Sequence, residues 1–447
     1  MLKRKIENKF NDFFNTKINK ALIVEGARQI GKTYSIREYC KNRFASYLEI
    51  NFQESPQLRN IFDGDISSKT IIDSLLLNFY DFKFIENDTL IFLDEIQDCP
   101  NAITALKFLA QDERIKVVAS GSSLGLNYKN QTSFPVGYVE IIDMYSLDFE
   151  EFLWALGIQE DIVENIKEYF ESYAKVPEAI HTKMMEYMKQ YLVVGGMPEI
   201  VNLFVESKNY QTVDDAQRQL YRLYYADIAT YADPDIKIKA QKCYSSIPVQ
   251  LNKPNHKFQY KYVEKEGNER KFGSSLDWLT NANMTVPVYN INSITYPLEI
   301  HKIDNNLRIY YNDISFMIST YPYEIKRLLL SNEDNDTKSN IVLASAKGGI
   351  YEALAADILH KSGIDKLYFY RNDAGTIEIE FLIENIDGII PIEIKANRGR
   401  SKSLGTIINK ENIKLGYKFT SQNIGFNKDK NIITMPIYAL PFIFNNK

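Results

Sequence analysis

The sequence is poor in cysteine and histidine. Its 447 residues include three cysteines, Cys40, Cys99 and Cys243, and four histidines, His181, His256, His301 and His360. The cysteines lie far apart, which argues against a disulfide framework and a zinc cluster and suits a reducing compartment. The histidines are scattered without metal-ligand spacing, and each reads as an ordinary residue. No apolar run reaches the roughly 18 residues of a membrane span. The opening stretch MLKRKIENKFNDFF is charged and lacks the apolar core of a signal peptide. A cytoplasmic protein with no membrane partner is therefore expected. Positive charge is not in excess either. Lys and Arg number 53 against 58 acids, for a net charge of −5. The chain as a whole is thus no basic nucleic-acid coat, although one domain can still carry a basic face. Internal repeats and long low-complexity segments are also missing.

What is present is material for large cores. Hydrophobic residues make up 45% of the chain, with 30 Tyr and 25 Phe, and the length calls for two or three domains. The first 150 residues alternate strand and helix patterns. KALIVEG, ASYLEINF, TLIFLDEIQ and IKVVASGSS read as strands, with amphipathic helices such as SSKTIIDSLLLNFYDF between them. Near-continuous apolar strands separated by helices predict an α/β fold with a parallel sheet covered on both faces. From SLDFEEFLWALG to about Ala232 the pattern is helical, broken at VVGGMPE. IKIKAQKCYSSIPVQLNK then reads as a pair of helices, KFQYKYVEK as a strand, FGSSLDWLTNANM as a helix, and VPVYNI and RIYYNDI as strands. Helices followed by a two-strand ribbon suggest a winged helix. SNEDNDTKSN (331–340) reads as a linker. Beyond it the helix GGIYEALAADILHKSG leads to the strands KLYFYRN, TIEIEFLIEN and GIIPIEIKA.

GARQIGKT, residues 26–33, fills G-x-x-x-x-G-K-[ST]. It follows a buried strand and opens a helix, as a phosphate-binding loop requires. The backbone N–H groups from Gly26 through Ala27, Arg28, Gln29, Ile30 and Gly31 to Lys32, Thr33 and Tyr34 would cradle phosphate, helped by the positive end of the helix. Lys32 would neutralise the β- and γ-phosphates, and Thr33 would ligate Mg²⁺. LIFLDEIQ supplies the second half. Asp94 would hold the Mg²⁺ shell, and Glu95 would polarise the attacking water. ATP and Mg²⁺ are the expected cofactors, with Lys32, Asp94 and Glu95 as the catalytic set. VVASGSSL ends in Ser120, Gly121, Ser122 and Ser123. A polar side chain there, Ser122 above all, either reaches the γ-phosphate or caps the next helix.

Together these motifs resemble a family of bacterial and archaeal AAA-type P-loop ATPases. Its members carry a C-terminal PD-(D/E)xK nuclease-like domain of unknown function (the AAA_14 plus DUF4143 type). The likeness rests on GARQIGKT, LDEIQD, SGSSL, SLDFEEFLWALG, GGMPE, YYADIATYAD and PIEIKA, and so runs through nearly the whole chain. It implies an AAA-type ATPase domain over 1–155, a helical lid over 156–232 and a winged-helix-like domain over 233–330. A linker over 331–340 and a restriction-endonuclease-like α/β domain over 341–447 complete the arrangement. Many members place Gly-Arg or Gly-Lys after the sensor segment, a candidate cation for the transition state. This chain has FPVGYVE there, with Tyr138 at that place, so either another basic residue, Arg28 or Arg114, supplies the charge or hydrolysis is slow.

VVGGMPE has two readings. Gly195 and Gly196 make a turn and Pro198 starts a helix, or Pro198 lies on the adenine ring, as the resemblance to signal-transducing P-loop ATPases implies. The C-terminal segment resembles the PD-(D/E)xK core. Period-two alternation puts Glu393 and Lys395 on one strand face, Glu380 lies on the strand before, and Glu352 is the fold's usual fourth member. Two carboxylates and a lysine can hold Mg²⁺ and position a water. Glu380 stands where Asp is usual, and the alternative is a salt-bridged sheet face. The run Lys395, Arg398, Arg400, Lys402 would suit a phosphate backbone. The expected function is a Mg-dependent ATPase working as a switch or motor coupled to DNA or RNA. The alternatives are an ATP-gated nuclease and a regulatory ATPase that binds protein partners. A homo-oligomer fits any of these.

Overall fold

The computed structural model describes residues 2–16, 19–41, 43–122, 134–331, 338–364, 366–386, 388–396, 402–411 and 413–444, with backbone alone over 338–345. The chain divides into two compact units. One is residues 3–146 with 281–283, and the other is 147–280 with 284–447 and the first two residues.

The first unit is built on a parallel sheet of five strands in the order β2-β3-β4-β1-β5. These are β1 (Ala21–Gly26), β2 (Ser46–Asn51), β3 (Thr89–Asp94), β4 (Ile115–Ser122) and β5 (Val139–Asp143). Its helices are α1 (Ile6–Asn15), α2 (Lys32–Lys41), α3 (Ser68–Asn78) and α4 (Pro100–Ala110). All six residues of β3 are buried, as a central strand covered on both faces demands. One apolar core gathers Ile23, Ile50, Ile91 and Leu93 from the strands with Ile71, Leu75, Ile103 and Leu106 from α3 and α4. β5 is the strand that the sequence patterns did not mark. Its residues VEIID are mostly half-exposed or exposed, so the apolar signal of an edge strand is weak.

The second unit opens with helices α5 (Phe149–Ala155), α6 (Glu160–Glu171), α7 (Glu178–Val194), α8 (Pro198–Ser207), α9 (Tyr210–Tyr231), α10 (Pro234–Leu251) and α11 (Glu269–Asn281). A mixed sheet of eight strands follows, in the order β12-β13-β11-β10-β9-β8-β6-β7. Its strands are β6 (Thr285–Ile291), β7 (Lys302–Tyr311), β8 (Leu367–Arg371), β9 (Glu378–Asn385), β10 (Gly388–Ile394), β11 (Gly416–Thr420), β12 (Gly425–Asn427) and β13 (Ile432–Pro436). Helices α12 (Ile314–Ser319), α13 (Tyr323–Leu330), α14 (Lys338–Lys361), α15 (Lys402–Lys410) and α16 (Leu440–Ile443) complete it. The ribbon expected of a wing is β6 with β7, antiparallel. β6 also pairs in parallel with β8, so the ribbon is built into the same sheet as the C-terminal strands.

Three local readings differ from the sequence patterns. KFQYKYVEK is a turn, with a short 3-10 helix at Tyr260–Tyr262. Its alternating aromatics imitate a strand, but the Tyr260 carbonyl accepts from the N–H groups of Val263 and Glu264 and curls the chain. Residues 234–251 form one helix, α10, that continues through Pro248. Pro248 has no N–H for the Tyr244 carbonyl; that oxygen accepts the Tyr311 hydroxyl at 2.8 Å instead. Helix α14 starts at Lys338, inside the polar stretch that reads as a linker; residues 332–337 lie outside the described residues.

Candidate nucleotide site

Buried residues Ala21–Val24 fix β1 in the sheet and aim Gly26 at the start of the loop. Gly26 has φ +154, and a Cβ there would stand 2.2 Å from the Met144 carbonyl oxygen and 2.6 Å from Ile30 Cδ1. Only glycine fits. Gln29 (φ 60) and Gly31 (φ 92) then turn the backbone through left-handed conformations, and α2 begins at Lys32. The loop thus runs into a helix N-terminus, whose free N–H groups favour an anion. Ala27 and Ile30 within the loop are buried, and Tyr34 just beyond it is 45% exposed.

The Lys32 ammonium is buried and donates to the carbonyls of Gly26 (3.0 Å) and Ala27 (2.7 Å). Burial lowers its pKa to about 8, opposed by the carboxylates of Glu95 and Asp94 and assisted by the Arg28 guanidinium. Thr33 Oγ1 lies 3.1 and 3.0 Å from the two carboxylate oxygens of Asp94. Asp94 also accepts from Asn51 Nδ2 at 2.9 Å and from the Ser120 hydroxyl. Burial raises its pKa, while the Ser120 and Thr33 hydroxyls pull it down. Glu95 follows in a left-handed conformation (φ 52), uncommon for a residue with a side chain. Its carboxylate accepts from Gln97 Nε2 at 2.5 Å.

Ser122 pairs in register with Gly26. Its hydroxyl is buried and has no hydrogen-bond partner among the described residues. Ser120 by contrast is committed to Asp94, and Ser123 lies outside the described residues. Tyr138 and Arg114 sit at the other end of the sheet. The Tyr138 carbonyl accepts from the N–H of Ala21, the first residue of β1, and Lys107 lies over its ring. Arg114 precedes β4 and gives Nε and Nη2 to Asp112 at 2.9 and 2.7 Å.

Asn51 and Arg4 escape the motifs, while Ser120 and Gln97 lie within them in roles the motifs do not assign. Asn51 and Ser120 hold Asp94, Gln97 holds Glu95, and Arg4 braces the loop. Arg4 donates to the Ile30 carbonyl (2.8 Å) and the Tyr145 carbonyl (2.6 Å). Asn51 is the last residue of β2 and Ser120 lies near the end of β4, a positional signal. Nothing in the sequence marks Arg4.

Pro198 is in the other unit, where it starts α8. The Gly196 N–H points at the Asp313 carboxylate, and its carbonyl accepts from Leu147 N at 2.7 Å. A Cβ on Gly196 would stand 2.0 Å from the Leu147 carbonyl oxygen. The C-terminal carboxylates also come together. Lys395 Nζ lies 2.7 Å from Glu380 and 3.2 Å from Glu393. Glu380 is pushed up to about 7 by burial, against the pull of Lys395. One oxygen of Glu380 and one of Glu393 are buried with no hydrogen-bond partner among the described residues. Glu352 is engaged by Arg308, His256 and Tyr310. Among the described residues, no three His, Cys, Asp or Glu are arranged to hold a metal. Arg398 and Arg400 lie outside them; Lys402 opens α15. No helix among the described residues is long and apolar enough to cross a membrane.

Comparison with known proteins agrees with this geometry. Residues 18–153 match the family model described as an AAA domain. Residues 185–323 match a domain of unknown function, DUF8612, and 347–440 match another, DUF4143. No curated protein matches the chain. Among solved structures, a Walker-type ATPase of Pyrococcus abyssi is similar at 12% identity and TM-score 0.44, covering 71% of this chain and 95% of that one. The Aeropyrum pernix ORC1 protein in complex with DNA is similar at 11% identity and TM-score 0.30, covering 74% and 91%. AMPPCP-bound DnaA from Aquifex aeolicus is similar at 11% and 0.28, covering 62% and 87%. The chain thus carries an AAA domain over residues 18–153 and, downstream of it, a DUF4143 domain over residues 347–440.

Proposed function

We propose that the chain hydrolyses ATP with Mg²⁺ and works as a switch or motor whose second unit engages DNA or RNA. The observation that carries the first half is the contact of Thr33 with Asp94 at 3.0 Å, with Glu95 next in the chain. A hydroxyl and a carboxylate are the hard oxygen donors that Mg²⁺ prefers, leaving its other positions to water and phosphate. Bound there, Mg²⁺ would neutralise charge on the β- and γ-phosphates. The chain's own residues do the rest. Lys32 exchanges the carbonyls of Gly26 and Ala27 for phosphate oxygens. Asn51 and Ser120 keep Asp94 turned to the loop. Glu95, oriented by Gln97, takes a proton from the attacking water. Ser122, whose hydroxyl has no hydrogen-bond partner among the described residues, would report the γ-phosphate, and Arg28 would add positive charge.

The nucleic-acid half is supported by charge in the second unit. From Ile236 to Lys271 the chain carries eight lysines and Arg270 against three glutamates. Within that stretch the ring of Tyr262, 40% exposed, has Lys253 Nζ at 3.1 Å and Lys261 Nζ at 5.3 Å from its centre. An exposed ring beside ammonium groups suits a base and its phosphate. The test is ATPase turnover with and without single- and double-stranded DNA and RNA, with Lys32→Ala as control. Turnover lost in Lys32→Ala, together with salt-sensitive nucleic-acid binding, is expected. Hydrolysis without binding in either nucleotide state would remove the nucleic-acid half.

The second reading, a nuclease gated by ATP, is favoured by the carboxylate oxygens of Glu380 and Glu393 beside Lys395 that have no partner among the described residues. It requires Mg²⁺-dependent cleavage that Glu393→Ala abolishes and Lys32→Ala does not.

A further inference from the structure

Glu95 is held in a conformation that its backbone does not favour. With φ 52 and ψ 47 it lies in the left-handed region, where a residue with a Cβ persists only if its surroundings over-determine it. Part of the cause is local. The 3-10 turn Ile96–Asp98 follows at once, with Ile96 buried in the core, and the Asp98 N–H donates back to the Glu95 carbonyl at 3.0 Å. The rest comes from Arg59, a residue outside every motif. Arg59 belongs to the 3-10 turn Pro56–Phe62, which follows β2 and is pinned to its end by Phe62, set edge-on to Phe52 at 5.5 Å. Its Nη2 donates to the Phe52 carbonyl at 3.1 Å and lies 3.8 Å from the Asp98 carboxylate. The Phe52 N–H donates to the Asp94 carbonyl at 3.1 Å. These contacts close a ring through Asp94, Phe52, Arg59, Asp98 and Glu95.

At 3.8 Å the Arg59–Asp98 link is an attraction of charges and not a hydrogen bond, and both side chains are half-buried. Burial raises the Asp98 pKa, and of the charges acting on it Arg59 weighs most, ahead of Glu95 and Arg28. Arg59 also stands on the right edge of the sheet. The residues after β2 and β3 share the carboxyl edge of the parallel strands with the loop after β1. We propose that Arg59, acting through Asp98, is a positioning residue that keeps Glu95 in its left-handed conformation and so aims its carboxylate at the attacking water. The proposal rests on Glu95 serving as the base in ATP hydrolysis. Without Arg59 the ring opens, the turn after Glu95 is held only from its buried side, and the carboxylate loses its aim.

The test is ATP turnover by the full chain, with nucleotide affinity from calorimetry and folding checked by circular dichroism. Arg59→Ala should lower kcat by about 10–100-fold, as a small misplacement of a catalytic group does, and leave affinity within about twofold of the wild type. Asp98→Asn opens the ring from its other side and should do the same. Arg59→Lys keeps the charge opposite Asp98 and should recover part of the rate. Asn101→Ala is the comparison. Asn101 Nδ2 donates to Asp63 at 2.9 Å, which joins the residue after the first turn to the helix after the second, outside the ring, so its loss should leave kcat within about twofold. The double variant decides. Because Arg59 acts only through Glu95, Arg59→Ala added to Glu95→Gln should lower turnover by less than about twofold more. A further loss of about tenfold in the double variant, an unchanged kcat in either Arg59→Ala or Asp98→Asn, or an equal loss in Asn101→Ala overturns the inference while leaving Glu95 as the base. Unchanged turnover in Glu95→Gln alone would instead remove Glu95 as the base, and this inference with it.

Discussion

Replacing Glu352 with glutamine keeps the shape of the side chain and removes its charge. Glu352 is 3% exposed. It accepts from Arg308 Nη1 and His256 Nδ1, each at 2.5 Å, and from the Tyr310 hydroxyl. Arg308 is fully buried, and its other arm goes to Glu378. Burial alone would raise the Glu352 pKa, but Arg308 and His256 outweigh it and hold the carboxyl at about 2, against 4.5 for the free group. The unfolded chain therefore takes up this proton near pH 4.5 and the folded chain only near pH 2. The contribution to stability is complete above about pH 4.5 and disappears as pH falls toward 2. At 1.36 kcal/mol per unit it amounts to about 3 kcal/mol. Breaking a buried ion pair by removing one partner costs about 3–5 kcal/mol by a separate line of reasoning, so the two routes meet.

The measurement is urea unfolding followed by tryptophan fluorescence. Trp154 and Trp278 are the chain's two tryptophans, and both belong to the second unit, so the signal reports that unit. At pH 7 the Glu352→Gln midpoint should fall by about 1 M or more, and the gap to the wild type should narrow between pH 5 and pH 3. Equal midpoints at pH 7, or a gap that does not narrow, would refute the assignment of Glu352 as the counter-ion of Arg308.

Other outcomes follow from the nucleotide loop. Glu95→Gln should lower ATP turnover by about 10²–10⁴-fold and leave nucleotide affinity, measured by calorimetry, nearly intact. Gly26→Ala forces a Cβ against the Met144 carbonyl oxygen; it should cost about 1–3 kcal/mol in thermal unfolding of the first unit and abolish detectable ATP binding. Arg4→Ala removes two hydrogen bonds to loop-flanking carbonyls, each worth about 1.5–3 kcal/mol. It should raise KM for ATP more than it lowers kcat, and an unchanged KM would count against a bracing role.

The features that sequence made legible were those with short-range cause. A parallel sheet needs strands that are apolar on both faces, and ALIVEG and TLIFLD announce themselves; VEIID, at the edge, does not. The phosphate loop is legible because its glycines and its Lys-Thr pair are adjacent in the chain. The contacts of Asn51 and Ser120 with Asp94 are not, because they form only through the register of β2 against β3 and the nearness of β4. Arg4 is further from view, since its partners Ile30 and Tyr145 are far along the chain and contribute only backbone oxygens. In the second unit, the motif residues Glu352, Glu380, Glu393 and Lys395 were visible as a pattern. Arg308, the counter-ion of Glu352, lies on β7, before α14, and no spacing rule connects the two.

The parallel sheet also decides what the aromatic at Tyr138 can mean. All five strands run the same way, so the loop after β1 and the residues before β4 and β5 lie at opposite edges. Crossing the six residues of β1 takes about 17–20 Å at 3.3 Å each. Arg114 lies at the far edge with its guanidinium on Asp112, and Tyr138 lies there with its carbonyl on Ala21. Neither position can touch a phosphate held by the loop of its own chain. A cation at position 138 would act only on a nucleotide held by another molecule, so the tyrosine leaves the chain's own loop chemistry unchanged. Positive charge at that loop comes from Lys32 and from Arg28, which is near enough to lower the Lys32 pKa. Tyr138 is thus remote from that loop, and in the proposed hydrolysis the charge would come from Lys32 and Arg28 beside Asp94 and Glu95.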